Sequence, residues 1–134
     1  MFHLSEERQV LLTQKIMSTL DEWGLSAADQ VIVLNLPDGV RTRKLRAFHD
    51  DTPLPKDDKV EFRAVRLLGI IDALRTTYPK NESMGSRWMK KPHRRFQNRT
   101  PLQVLLEDGN TGVNSVLAEL DCSHAWELSG SQAK

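Results

Sequence analysis

One cysteine, Cys122, is all the thiol this 134-residue chain has, which excludes an internal disulfide and the metal templates that need paired cysteines. Net charge is nearly absent too: 19 Lys and Arg against 18 Asp and Glu leave +1, a total that argues neither for nor against a nucleic acid partner. Long apolar runs are missing. None approaches the roughly 18 to 20 residues a membrane helix needs, and the start Met1-Phe2-His3-Leu4-Ser5-Glu6-Glu7 has neither the basic beginning nor the apolar core of a leader. The expectation is a cytoplasmic protein with no membrane partner.

Catalytic groupings are scarce as well. His3, His49, His93 and His124 lack the i, i+4 spacing of a helical metal pair, and Cys122-Ser123-His124 sets thiol and imidazole too close in sequence for a dyad. Asp50-Asp51 and Asp57-Asp58 read as helix-end and loop carboxylates. Gly109-Asn110-Thr111-Gly112 lacks the lysine of a phosphate-binding loop and reads as a cap. The sequence therefore calls for no enzyme, no metal and no cofactor.

What is present is a soluble globular composition, 39% hydrophobic and 28% charged, in a length that suits one domain or two small helical subdomains. Charge is unevenly placed. The first 36 residues hold five acidic and two basic side chains, whereas 41–46 carry Arg41, Arg43, Lys44 and Arg46. Residues 87–99 carry Arg87, Lys90, Lys91, Arg94, Arg95 and Arg99, with no carboxylate between Glu82 and Glu107. A solvated face is the bland explanation of either run, so context must decide.

Periodicity reads as helix almost throughout. Leu12, Ile16, Leu20 and Trp23 make one stripe on a helix from about Ser5 to Trp23, which Gly24 stops. Ser26 and Asp29 look like a cap for a second helix bearing Val31, Ile32, Val33, Leu34 and Leu36; the β-branched run could form a strand, but the cap and the want of a partner strand favour helix. Asn35-Leu36-Pro37-Asp38-Gly39 turns the chain, and a short basic helix is expected over about 38–48. Helix, tight turn, basic short helix is the layout of a helix-turn-helix.

Pro53 and Pro55 mark the best internal boundary. A long helix follows over about 57–78 with Val60, Ala64, Leu67, Ile71, Leu74 and Tyr78 on one face, and Gly69 in its interior suggests a close helix crossing. Shorter helices are expected at about 82–90, from Thr100-Pro101 onward, and over about 111–120, where Val113, Val116, Leu117 and Leu120 face inward. The end, 129–134, reads as a flexible tail.

Arg66-Leu67-Leu68, Trp88, Pro92, Phe96, Thr100-Pro101-Leu102 and Gly109, in that order and spacing, resemble the Xre/MbcA/ParS family of bacterial antitoxins. Trp23-Gly24-Leu25-Ser26 leading into the helix-turn-helix looks like the family's N-terminal half. Two departures are visible: Asn98-Arg99 stands where the family commonly has a glycine, and Asn35 where a Leu-Gly turn is frequent.

The resemblance implies an all-α fold, with a helix-turn-helix subdomain over 1–52 packed on a helical toxin-binding subdomain over 57–128. It also implies a function: inhibition of an NAD-degrading RES-domain toxin by occluding its active site, and autorepression through the helix-turn-helix. The implied partners are the toxin, operator DNA and a second copy within a hetero-oligomer. The alternative is a stand-alone DNA-binding transcriptional regulator whose C-terminal half mediates dimerisation.

Elementary chemistry nominates residues for each role. Arg41, Thr42, Arg43, Lys44 and Arg46 offer phosphate contacts and a bidentate guanine reader. Trp88, Phe96, Arg94 and Arg95 lead the toxin-binding candidates, since Trp and Arg anchor interfaces most often, and Arg87, Lys91 and Arg99 join them. The ring of Trp88 is expected to pack inward and fix the loop while the neighbouring cations touch the partner. Trp126, near the end, either folds back on the core or joins His124 and Glu127 in covering the toxin's cleft.

Overall fold

In a computed structural model, residues 3–129 are described, apart from the side chains of Glu82 and residues 122–129. The helices are α1 (Glu6–Glu22), α2 (Ala27–Leu34), α3 (Leu45–Asp50), α4 (Asp58–Thr77), α5 (Glu82–Lys90), α6 (Pro101–Glu107) and α7 (Gly109–Ser129). Short 3-10 turns occupy Thr42–Lys44 and Arg94–Phe96, and the β pairing among the described residues is an isolated bridge between His93 and Arg99. The all-α class expected from periodicity is the class observed. The chain divides into two compact units, 1–67 and 68–134, at a point within α4.

In the first unit, the Ser5 hydroxyl caps α1 by accepting from the Arg8 N–H. Ile16, Leu20 and Trp23 are buried as the stripe requires, and Gln9, Thr13 and Met17 complete the inner face, whereas Leu12 is only half-buried. Ser26 caps α2 through the Asp29 N–H, so Val31-Ile32-Val33 is helical, and Asn35 ends the helix in the left-handed conformation at φ 55°. Asn reaches that region more readily than most L-residues, which suits it to end the helix there.

The basic helix expected over 38–48 is corrected. Pro37 to Val40 form a turn closed by a 2.9 Å hydrogen bond, Arg41 is extended, Thr42–Lys44 make a 3-10 turn, and the α-helix proper begins only at Leu45. β-Branched Val40 and Thr42 directly after Gly39 give a helix little to nucleate on. Leu45 and Phe48 nonetheless reach the core as the spacing required.

Along α4, Val60, Ala64, Leu67, Ile71 and Leu74 are buried, with Tyr78 half-buried just past its end. Arg63 is buried among them. Its guanidinium donates to the carbonyls of Val33 at 2.8 Å and Ile32 at 3.3 Å, placing a cation on the C-terminal carbonyls of α2. Burial pushes its pKa below the ordinary value.

In the second unit, the Asn81 side chain caps α5, and Thr100 with Gln103 forms a reciprocal capping box on α6, Pro101 occupying the first turn. The last helix differs from expectation at both ends. Asp108-Gly109-Asn110 is a corner and not a loop: Gly109, at φ 61°, redirects the backbone and is itself the first residue of α7. No proline or glycine stands between Val113 and Ser129, so the helix passes Leu120 and runs to Ser129. The expected tail beyond that, 130–134, lies outside the described residues.

The close helix approach expected at Gly69 is found at Gly112 instead. A Cβ on Gly69 would make ordinary contact with the Leu117 side chain at 3.4 Å, whereas one on Gly112 would lie 2.3 Å from the Val104 carbonyl oxygen. Only glycine lets α7 rest on α6 there.

Candidate functional site

The basic run of the second unit becomes a folded loop between α5 and α6. Pro92 ends α5 and leaves His93 extended; the His93 N–H donates to the Arg99 carbonyl at 3.1 Å, and the N–H groups of Phe96 and Asn98 both return to the His93 carbonyl at 3.0 Å. Gln97 and Asn98 carry the reversal in the left-handed region, at φ 59° and 65°. Asn98, where a glycine is common in the family the sequence resembles, thus adopts a backbone state glycine favours.

Three rings brace this loop. Trp88 lies 4.8 Å from His93 between centroids, and Phe96 meets Trp88 edge-on at 6.5 Å and His93 edge-on at 6.1 Å. The His93 Nε2 also lies 3.0 Å from the Trp88 carbonyl oxygen. Phe96 is buried and Trp88 is half-buried, so the tryptophan supports the loop from its edge and not from the core, where Met89 sits instead. His93 was not nominated from the sequence; its place three residues before Phe96 and five after Trp88 was the available signal.

The arginines separate into two groups. Arg99 is held: its guanidinium meets Asp108 through two nitrogens at 3.0 and 2.9 Å, Glu107 at 3.1 Å and the Phe96 carbonyl at 3.1 Å. Asp108 and then Glu107 raise the Arg99 pKa further, and Arg99 in turn holds the Asp108 carboxyl below its ordinary value. Arg87, Lys91, Arg94 and Arg95 are exposed. Arg95 points one nitrogen to Glu119 at 3.5 Å across a recess of about 390 Å³, walled by Phe96, Val104 and Ala118, while remaining 74% exposed. The loop is rigid beneath and cationic above.

Residues 70–121 match the family model described as the antitoxin Xre/MbcA/ParS C-terminal toxin-binding domain. Over this span the chain is similar to the toxin-binding domain of Xre/MbcA/ParS antitoxins. No curated protein matches the chain. The matched span lies within the second unit and contains the braced loop, α6 and most of α7. An antitoxin domain acts on a toxin by binding, which suits a non-enzymatic regulator. His124, Trp126 and Glu127 lie on the α7 backbone past the matched span, and their side chains fall outside the described residues.

In the first unit, Arg41, Thr42, Arg43, Lys44 and Arg46 are all exposed, and Gly39, Val40, Arg41, Arg43 and Lys44 line a recess of about 360 Å³. Among the described residues no group of His, Cys, Asp or Glu could hold a metal ion, and no helix is long and apolar enough to cross a membrane.

Proposed function

We propose that the protein is the antitoxin of a type II toxin-antitoxin system, acting in the cytoplasm. It binds and inhibits an NAD-degrading RES-domain toxin by covering the active site, and it represses its own operon through the N-terminal unit as a homodimer within the complex. The observation that carries the toxin-binding half is the match over 70–121, a span holding a loop braced by rings and backbone bonds that carries exposed Arg94 and Arg95, with Arg87 and Lys91 exposed on and just after α5. A preformed surface binds without first having to be ordered, so more of its contact energy appears as affinity. Arg87, Lys91, Arg94 and Arg95 do the touching, while Trp88, Phe96 and Arg99 hold them in place; His124, Trp126 and Glu127 extend the contact along α7. The exposed Arg41, Thr42, Arg43, Lys44 and Arg46 support the operator-binding half.

Coexpression with the product of the adjacent gene tests the reading. A co-purifying complex and rescued growth are expected, and Arg94→Glu with Arg95→Glu should weaken the complex by about 100-fold and restore toxicity while circular dichroism stays unchanged. Undiminished neutralisation by that double variant counts against the assigned surface. A chain that never associates with its neighbour but loses promoter binding on Arg43→Ala is the stand-alone regulator.

A further inference from the structure

His49 sits at the end of the basic segment with each ring nitrogen facing an acceptor. Its Nδ1 is 2.9 Å from the Leu45 carbonyl oxygen, at the start of α3, and its Nε2 is 2.6 Å from a carboxylate oxygen of Asp21 on α1. Neither acceptor can supply a proton, so both contacts are hydrogen bonds only when the ring carries two N–H groups, that is, as imidazolium. A neutral ring can satisfy one of them and must turn a lone pair on the other. The second Asp21 oxygen accepts from the Gln30 side chain of α2 at 2.8 Å, and Gln30 also donates to the Leu25 carbonyl at 3.0 Å, so the carboxylate is fixed in place to receive the ring.

We propose that His49 is a proton-dependent clasp between α3 and α1, through which pH sets how firmly the basic segment Arg41–Arg46 is held. The groups that act on the ring are consistent with this. The Leu45 carbonyl, then Asp21 by hydrogen bond and charge, and Asp50 on α3 itself, raise its pKa above the ordinary 6.5 against the opposing effect of burial. The cations nearest in sequence, Lys44 and Arg46, flank Leu45 and are exposed. The side chains of His49 and Asp21 are 32% and 53% exposed, so the proton exchanges with solvent without unfolding.

The sign follows from linkage. A histidine whose folded pKa is raised contributes stability that is complete below its unfolded value of about 6.5 and is lost as pH rises through the higher folded value. Leu45 and Phe48 stay buried, and the Gln14 side chain still donates to the Asp50 carbonyl, so α3 loosens without leaving the unit. Any effect on nucleic acid affinity rests on the operator-binding reading; the clasp does not.

The test follows His49 and the α3 amides in the full chain. By NMR, His49 should titrate above 6.5, and Asp21→Asn should lower its pKa. Hydrogen exchange, corrected for the intrinsic rate at each pH, should show residues 45–50 losing protection through that titration while α2 holds, and His49→Gln should abolish the pH dependence. A His49 pKa at or below 6.5, or pH-independent protection of 45–50 in the native chain, overturns the clasp. A 20-base-pair mixed-sequence duplex is the second probe. Binding that weakens through the His49 titration supports both ideas, whereas no binding at any pH alongside the exchange switch supports the clasp and sinks the operator reading.

Discussion

Single residues carry heavy constraints in this molecule. At Gly112, a methyl group would meet a backbone carbonyl that cannot rotate away, so Gly112→Ala should cost about 3 kcal/mol and lower the melting temperature by roughly 10 °C in calorimetry. Arg63 is the buried counterpart. Arg63→Met should cost about 2 kcal/mol in urea unfolding, because two α2 carbonyls lose a charged donor away from water. Asp108 gives a pH test of opposite sign to that of His49. Its carboxyl pKa is depressed below 3.8, so its contribution is present above that value and lost as pH falls through the lower folded one. The melting temperatures of the native chain and Asp108→Asn should therefore converge in a pH series taken below 4.

At the scale of elements, apolar spacing and caps told most of the story, because both are local. Ser26, Thr100-Pro101 and the α4 stripe lie where one turn of sequence announces them. What escaped was non-local or conformational. Gly109 turning the backbone in one residue depends on a φ value, and Arg63 reaching across to α2 depends on a partner far away in sequence. In the candidate site the cations were legible as a run, but their division into the held Arg99 and the exposed Arg94 and Arg95 depends on Glu107, Asp108 and Glu119, which lie beyond that run. The loop offers its own test. Gln97→Gly should be neutral or stabilising by up to about 1 kcal/mol in thermal melts, since it relieves a left-handed φ that glutamine adopts reluctantly.

For the whole molecule, a formal charge of +1 conceals two cationic surfaces, one in each compact unit. On the proposed reading, in which exposed arginines lead complex formation, long-range attraction steers the encounter, so association with the toxin should slow on the order of tenfold between low and high salt in stopped flow, with dissociation changing less. Metal chelation should leave the fold unchanged in circular dichroism.

The unbroken run of α7 has a mechanical corollary. Val113, Val116 and Leu120 seat one end of this rod in the hydrophobic interior, and the same rod continues past them to Ser129 with no hinge between. A protein that grips the far end therefore pulls directly on that interior. Engagement there and resistance of the second unit to proteolysis should rise and fall together.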